Sequence, residues 1–206
     1  MKCTFVYSLV LVLLLAAQPL HAQQQPQQPP QPPSPEGKEG TYYLGLMGNN
    51  FRHRSVGDQH ERGNTPGASA VFGRFMTDFV RLELRGGYSE EEIIRPDLAV
   101  QIDYYASAYI GLSYSWSMFS RLYAQFGMSY VETSAEGSAL GEFPLGNIDE
   151  DYLKGNFGES FLFGFDLDFI GNSVLFFEYG RLHSDTDTTE TDIQIWQSGA
   201  GIRYDF

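Results

Sequence analysis

The chain has 206 residues and a formal net charge of −13, because 26 acidic side chains outnumber 13 basic ones. This acidic balance argues against a nucleic-acid-binding protein, which needs a basic surface. The one cysteine, Cys3, has no second cysteine to pair with, so the sequence excludes a disulfide framework.

The N-terminus has the pattern of an export signal. Lys2 is followed by an apolar run over residues 5–17, and Ala22 offers a cleavage position, although Leu20 is larger than the residue usual there. The run is too short for a transmembrane helix with proper flanks. We therefore expect residues 1–22 to be a signal peptide, and Cys3 to be absent from the mature chain.

Residues 23–40 are predicted to form a disordered linker. Positions 23–35 contain only Gln and Pro apart from one Ser. Such a segment has no apolar side chain to bury and favours an extended, partly polyproline conformation. A spacer is the simplest interpretation, and a contact site for a partner is the alternative.

From residue 41 onward, the composition shifts to Gly, Tyr and Phe, and eight β-strands are predicted. They lie near residues 41–49, 67–77, 79–90, 101–115, 121–132, 157–169, 174–183 and 192–206. Long connections near 50–66, 91–100, 133–156 and 184–191 alternate with short ones. The prolines of this region, Pro66, Pro96 and Pro144, fall in or beside long connections, outside the strand ladders that proline would interrupt. The pattern predicts an all-β fold, a closed eight-stranded antiparallel up-and-down transmembrane β-barrel over residues 41–206.

Alternation along each strand predicts which side chains face lipid. Leu82 and Leu84 alternate with Arg81, Glu83 and Arg85, and most other strands repeat this apolar–polar pattern. A soluble barrel with its apolar face inside is the alternative. Aromatic residues near strand ends, a polar face rich in Gly and Ser, and the aromatic C-terminus favour apolar side chains outside and polar ones inside.

Two details of this assignment are less regular. The strand near residues 67–77 fits neither face well, and we place Arg74 inside, because a charge facing lipid near mid-membrane costs roughly 2–4 kcal/mol. Snorkelling of Arg74 to the interface is the alternative. In the strand near 101–115, Ile102 and Tyr104 are predicted to face lipid, and Asp103 the interior.

The polar face carries the candidate functional cluster, a barrel-interior charge network. Its predicted members are Arg81, Glu83, Arg85, Asp103, Arg121, Asp166, Glu178 and Arg203. Charges confined in a lumen must pair or keep water. A polar plug that fixes strand register is the favoured interpretation, since eight strands leave room only for side chains. A gate or narrow ion path is the alternative.

The C-terminal strand carries the most specific pattern. Its alternation runs without a break through Tyr204 to a terminal Phe206. This ending resembles the closing strand of the small eight-stranded bacterial outer-membrane barrels, of the OmpA transmembrane-domain, OmpX and opacity-protein kind. The resemblance implies that Tyr204 and Phe206 form an assembly signal for the barrel assembly machinery. It also implies an outer-membrane location with both termini periplasmic, and a role in adhesion or envelope integrity.

Catalysis is not expected. His53, His60 and His183 are the histidines of the mature chain, and the neighbours His183 and Ser184 should point to opposite strand faces. The sequence has no G-x-S-x-G, no zinc spacing and no phosphate loop. We expect no catalytic residue, metal or cofactor. A lipid-modifying outer-membrane enzyme, like the lipid A deacylase or acyltransferase barrels, is the alternative function.

The long connections are the expected place of function, because barrels carry it on exposed loops. In the third one, the residues predicted to contact a partner are Phe143, Leu145, Ile148 and Tyr152. In the first, Arg52, His53, Arg54 and Arg62 could meet lipopolysaccharide phosphates. The expected partners are outer-membrane lipid and lipopolysaccharide, the assembly machinery, and a host or surface ligand. A monomer that is not a wide pore is expected.

Overall fold

The computed structural model describes residues 37–56, 61–95, 98–137, 155–184 and 194–206. These ranges contain nine β-strands: β1 (Tyr42–Val56), β2 (Glu61–Phe75), β3 (Val80–Ser89), β4 (Glu92–Arg95), β5 (Leu98–Ser117), β6 (Ser120–Gly137), β7 (Asn156–Ile170), β8 (Ser173–Ser184) and β9 (Gln194–Asp205). Both β3 and β4 pair with β5, so together they form one interrupted barrel strand. The signal peptide and residues 23–36 of the predicted linker lie outside the described residues.

The strands close into a ring. Their order is β3-β2-β1-β9-β8-β7-β6-β5-β4, and an additional pairing between β3 and β5 completes the circle. Each pairing is antiparallel; Leu46 of β1, for example, lies between Ala70 of β2 and Ile202 of β9. Closure removes the free edges along the paired part of the barrel wall. The prediction of a closed, eight-stranded antiparallel barrel is confirmed.

The barrel is apolar outside and polar inside, as predicted. Leu46, Leu84 and Phe163 point outward with 68%, 58% and 53% of their surface exposed, whereas Arg81 and Gln125 are fully buried. A soluble barrel would bury the first group and expose the second. The described part of the chain contains no helix long and apolar enough to cross a membrane.

The β1–β2 hairpin is longer than the sequence pattern predicts. Residues assigned to a long connection, including Arg52 and Arg62, are paired strand residues. Pro66 also lies within β2, so the expectation that prolines avoid strands is wrong at this position. It is tolerated because the β2–β3 pairing starts only at Gly67, opposite Ser89. The first part of β2 therefore has β1 as its ladder partner and an open edge on the other side.

Arg74 faces outward, which corrects its predicted placement inside the barrel. In β2, Ser69, Val71 and Phe75 are buried in the interior, and Arg74 lies on the opposite face. Its guanidinium carbon lies 4.8 Å from the centre of the Tyr42 ring. Arg74 is the penultimate residue of β2, so the charge lies near the end of the strand, where it can reach the interface.

A β-bulge in β5 corrects a second placement. The register shifts between Ile102 and Tyr104, and one extra residue in a strand reverses the facing of everything beyond it. Ile102 is fully buried in the interior, although it was predicted to face lipid. Asp103 is exposed, although it was predicted to lie inside.

The residues just before β1 contact the end of the barrel that carries the C-terminus, which we call the terminal end. Lys38 Nζ lies 2.7 Å from Asp205 Oδ2 and 3.3 Å from Asp168 Oδ1. Gly40 has a φ of 84° and donates its backbone N–H to the Phe75 carbonyl over 2.8 Å. A positive φ suits glycine, which has no side chain to clash. This turn therefore connects the predicted linker to the barrel wall.

Candidate functional site

Arg85 is at the centre of the interior charge network. It donates to both carboxylate oxygens of Glu178 on β8, with Nη2 lying 2.6 Å from Oε1, and to Glu83 on its own strand. Its Nη2 also donates to Gln125 Oε1 over 2.9 Å. Tyr123 donates its hydroxyl to Glu178. Strands from opposite walls of the barrel are therefore joined by one charge-assisted cluster.

Asp166 forms a second centre nearer the terminal end. Arg203 approaches it with Nη1 at 3.0 Å from Oδ1 and Nη2 at 2.9 Å from Oδ2. Arg81 Nη1 lies 3.5 Å from Oδ2, and Arg121 Nη1 lies 4.0 Å from it. Asp205 accepts from Arg203 Nε over 3.1 Å. Three arginines thus surround one buried carboxylate, with a second carboxylate beside them.

Aromatic rings fill the space around these charges. The guanidinium of Arg81 lies 3.4 Å from the centre of the Tyr123 ring, and that of Arg203 lies 4.9 Å from the Tyr43 ring. Tyr43 donates its hydroxyl to Glu83 Oε2 over 2.7 Å, which joins the two centres. Arg81 Nε and Nη2 have no hydrogen-bond partner. The face of the Tyr123 ring supplies the compensating attraction for Arg81.

Seven of the eight predicted network residues come together, and Asp103 does not. The bulge turns Asp103 outward, where its carboxylate accepts from Gln101 and Ser134. Asp205 takes part instead. Within the described ranges, the network then contains four arginines, Arg81, Arg85, Arg121 and Arg203, and four carboxylates, Glu83, Asp166, Glu178 and Asp205. Because the positive and negative side chains are equal in number, replacing any one of them would leave a buried charge unpaired. This balance favours a structural role for the network.

Two apolar clusters lie in the same interior, and the sequence pattern missed both. One lies toward the terminal end: Tyr43, Met47, Val71, Phe75 and Phe176. The other lies toward the long connections: Phe51, Ile102, Tyr105, Val131, Leu182 and Ile195. Strand β1 held a signal for them, because Tyr43, Met47 and Phe51 make its inner face almost as apolar as its outer one. The first cluster lies among the charges, since Tyr43 donates to Glu83 and Phe75 lies opposite Arg81, and the second lies beyond them toward the long connections.

The two histidines among the described residues, His53 and His183, are both buried. His53 is fully buried in β1, and its Nε2 lies 2.9 Å from Thr65 Oγ1. His183 and Ser184 are both buried beside a register shift in β8, but they pair with Ile195 and Gln194, which lie on opposite faces of β9, so the expected opposite facing holds. Ser129 Oγ lies 3.4 Å from His183 Nδ1, but it donates to the Leu182 carbonyl. This geometry directs the serine proton away from the imidazole. That the protein is not an enzyme stays a prediction.

Other predicted sites are partly outside the described residues. His60 and the partner-loop residues Phe143, Leu145, Ile148 and Tyr152 lie there. Within the described ranges, no three His, Cys, Asp or Glu side chains are grouped closely enough to hold a metal ion. Tyr204 and Phe206 are 54% and 60% exposed, and the Phe206 backbone N–H donates to the Tyr42 carbonyl over 2.8 Å. Their role as an assembly signal stays a prediction.

Comparisons with known proteins agree with this architecture. Neisserial surface protein A has a similar fold, with a TM-score of 0.58 and 13% identity over 82% of this chain and 100% of its own. Ail, the attachment invasion locus protein of Yersinia pestis, has a TM-score of 0.52 and 13% identity over 82% and 99%. OprG of Pseudomonas aeruginosa has a TM-score of 0.50 and 11% identity over 84% and 98%. At these identities the likeness shows the fold alone.

Sequence comparison gives the family directly. No curated protein matches the chain in sequence, but the family model described as the outer membrane protein beta-barrel domain matches residues 8–206. That match covers nearly the whole chain, including each strand of the barrel. The chain therefore belongs to the outer-membrane β-barrel family, and it is a protein of the outer membrane.

Proposed function

We propose that this protein is a sealed barrel that works through its long connections, in a structural or surface-interaction role such as adhesion or envelope integrity. It is not a wide pore. In this proposal the termini face the periplasm, the long connections face outward, and the protein acts as a monomer. Long external loops and short periplasmic turns are the usual arrangement in such barrels.

The filled interior carries the proposal. A water-filled channel would leave its lining side chains accessible, but Arg81, Gln125 and Leu162 are fully buried, and Arg85 is 4% exposed. One apolar cluster fills the space among the charges, and the other adds a further barrier to ions toward the long connections. A barrel with such an interior can offer a partner only its rim, its connections and its outer wall.

The names of two similar structures also support a surface role. One is a surface protein and one an attachment invasion locus protein. Those descriptions belong to the relatives. For this chain they favour contact with an external surface as the first role to test.

Two measurements test the proposal. Purified protein in planar bilayers should give no large stable conductance, and a nanosiemens-scale channel would overturn the sealed interior. In cells, replacing residues 138–154 with a short Gly-Ser segment should reduce adhesion or serum survival. A second variant replaces residues 185–193 in the same way and compares the contribution of the fourth long connection with that of the third. Unchanged adhesion and survival after both replacements, with the barrel still in the outer membrane, would contradict the role of the connections.

A further inference from the structure

Four arginines gather on the outer wall of the barrel. Arg52, Arg54, Arg62 and Arg181 point outward near the strand ends that lead to the long connections, and we call them the arginine patch. Trp196 lies between Arg52 and Arg181, directly opposite each on the neighbouring strands. The guanidinium of Arg54 lies 5.0 Å from the centre of the Trp196 ring. The patch is therefore one continuous surface built around a tryptophan.

The patch lies at the depth of lipid headgroups. An apolar band of 25 Å, crossed by strands tilted by about 40°, takes roughly ten residues per strand. The outward face of β1 starts at Tyr42, continues through Leu44 and Leu46, and changes to polar at Asn50 and Arg52. Counting from Tyr42 thus places Arg52 at the far boundary of the band. Trp196 at the same level fits the aromatic girdle that marks this boundary.

The positive charge of the patch is not balanced by the described residues. Arg54 and Arg62 are direct cross-strand partners, and like charges at such positions repel each other. Arg54 Nε and Arg181 Nε are buried without a hydrogen-bond partner. Among the described side chains, the carboxylate of Glu159 lies 3.9 Å from Arg181 Nη2 and is itself 71% exposed. An anion at the patch would relieve the repulsion and satisfy the free donors.

Among the described side chains at this end, the outward positive charge lies on one side of the barrel. On the wall formed by β5 and β6, acidic side chains occupy the end near the long connections: Asp103 is exposed, and Glu132 is half-buried and accepts from Tyr104. An overall attraction of the negatively charged protein to anionic lipid is excluded by its charge of −13. Any anion binding must therefore be local to the arginine patch.

We propose that the arginine patch binds the phosphate groups of a phosphorylated lipid headgroup, in the leaflet on the side of the long connections. Guanidinium groups hold phosphate through paired hydrogen bonds, and the indole of Trp196 fits the apolar–polar boundary of the same lipid. If the long connections face outward, as in the proposed function, the matching lipid class is phosphorylated glycolipid of the lipid A type. The site itself does not depend on that orientation.

Fluorescence of Trp196 can test the site. The chain has two tryptophans, so Trp116→Phe leaves Trp196 as the single reporter. The protein is reconstituted in phosphatidylcholine with brominated chains, which quench a nearby indole. Bisphosphorylated lipid A should displace the quenching lipid from Trp196 better than dephosphorylated lipid A. Because each surface arginine contributes about 1 kcal/mol to such binding, Arg52→Gln with Arg62→Gln should lower the preference roughly fivefold per arginine.

The controls make each outcome decisive. Arg74→Gln removes an outward arginine stacked on an aromatic ring at the other end of the same strand as Arg62, and it should leave the preference unchanged. Arg54→Gln with Arg181→Gln provides a second patch variant, and gel mobility of unboiled samples checks that each variant is folded. The proposal is overturned if both lipids displace equally, if folded patch variants behave like Arg74→Gln, or if orthophosphate competes as well as the lipid.

Failure of this proposal is distinguishable from failure of the proposed function. The liposomes carry lipid A in both leaflets, so binding at Trp196 is independent of orientation. Protease accessibility of the long connections in intact cells tests the orientation separately. A positive lipid result with connections facing the periplasm would keep the site and overturn the proposed outward-facing role.

Discussion

Arg85 and Glu178 brace opposite walls of the barrel. Their strands, β3 and β8, are separated in the sheet order by β2, β1 and β9, yet Arg85 Nη2 donates to Glu178 Oε1 over 2.6 Å. The two side chains are 0% and 1% exposed. A buried pair of this kind fixes geometry more than it adds stability, since desolvation offsets much of the attraction.

Removing one partner of this pair should destabilise the barrel strongly. Arg85→Met leaves Glu83 and Glu178 without their shared partner, so we expect a loss of at least about 3–5 kcal/mol, with a smaller loss for Glu178→Gln. The double variant Arg85→Met/Glu178→Met should lose less than the sum of its single variants. Urea unfolding in lipid vesicles measures these free energies. Strict additivity would contradict the proposed bracing.

Glycines on the inner wall make room for the interior tyrosines. A Cβ added at Gly164 would lie 2.0 Å from Cζ of Tyr123, whereas one added at outward-facing Gly48 would meet nothing within 4 Å. We expect Gly164→Ala to cost about 1–3 kcal/mol by overpacking, and Gly48→Ala to be near neutral. The same unfolding assay compares them. Equal costs would show that the Tyr123 ring can move aside.

The apolar cluster toward the long connections should behave like a protein core. Phe51 is fully buried in it and packs edge-on against Tyr105, with ring centres 5.7 Å apart. Phe51→Ala should therefore cost about 3–5 kcal/mol. Leu84→Ala, at a position 58% exposed to lipid, should cost clearly less, because lipid fills the space. A larger effect at Leu84 would contradict the assignment of inside and outside.

The general architecture follows from the sequence because a strand between two solvents must alternate. Leu82 and Leu84 against Arg81, Glu83 and Arg85 fix the facing of β3, and the same rule places Asp166, Glu178 and Arg203 inside. Alternation fails where the backbone adds a residue. The bulge at Asp103 reverses the facing of Ile102 and Asp103, and hydrophobicity alone gives no sign of it.

Alternation also fails where both faces have the same polarity. Val71 and Phe72 are both apolar, one inside and one outside, so the facing of β2 depends on side chains several strands away. The placement of Arg74 inside is wrong because the free-energy cost of a lipid-facing charge applies near mid-membrane. Arg74 lies instead at a strand end beside Tyr42. Beyond the membrane boundary neither face meets lipid, so the pattern gave no reason to extend β1 through Arg52 to Val56.

Access of a water-soluble reagent to the middle of the barrel tests the central claim, a filled interior, most directly. In a Cys3→Ser background, Ser129→Cys places a thiol at a position 1% exposed, and Ser115→Cys places one at an exposed position near the terminal end. The protein is placed in lipid vesicles that are made permeable, so that a charged methanethiosulfonate reaches both sides of the membrane. The reagent should modify Ser115→Cys fully and leave Ser129→Cys unmodified until urea unfolds the barrel. Comparable modification rates at the two positions in the folded protein would contradict the account.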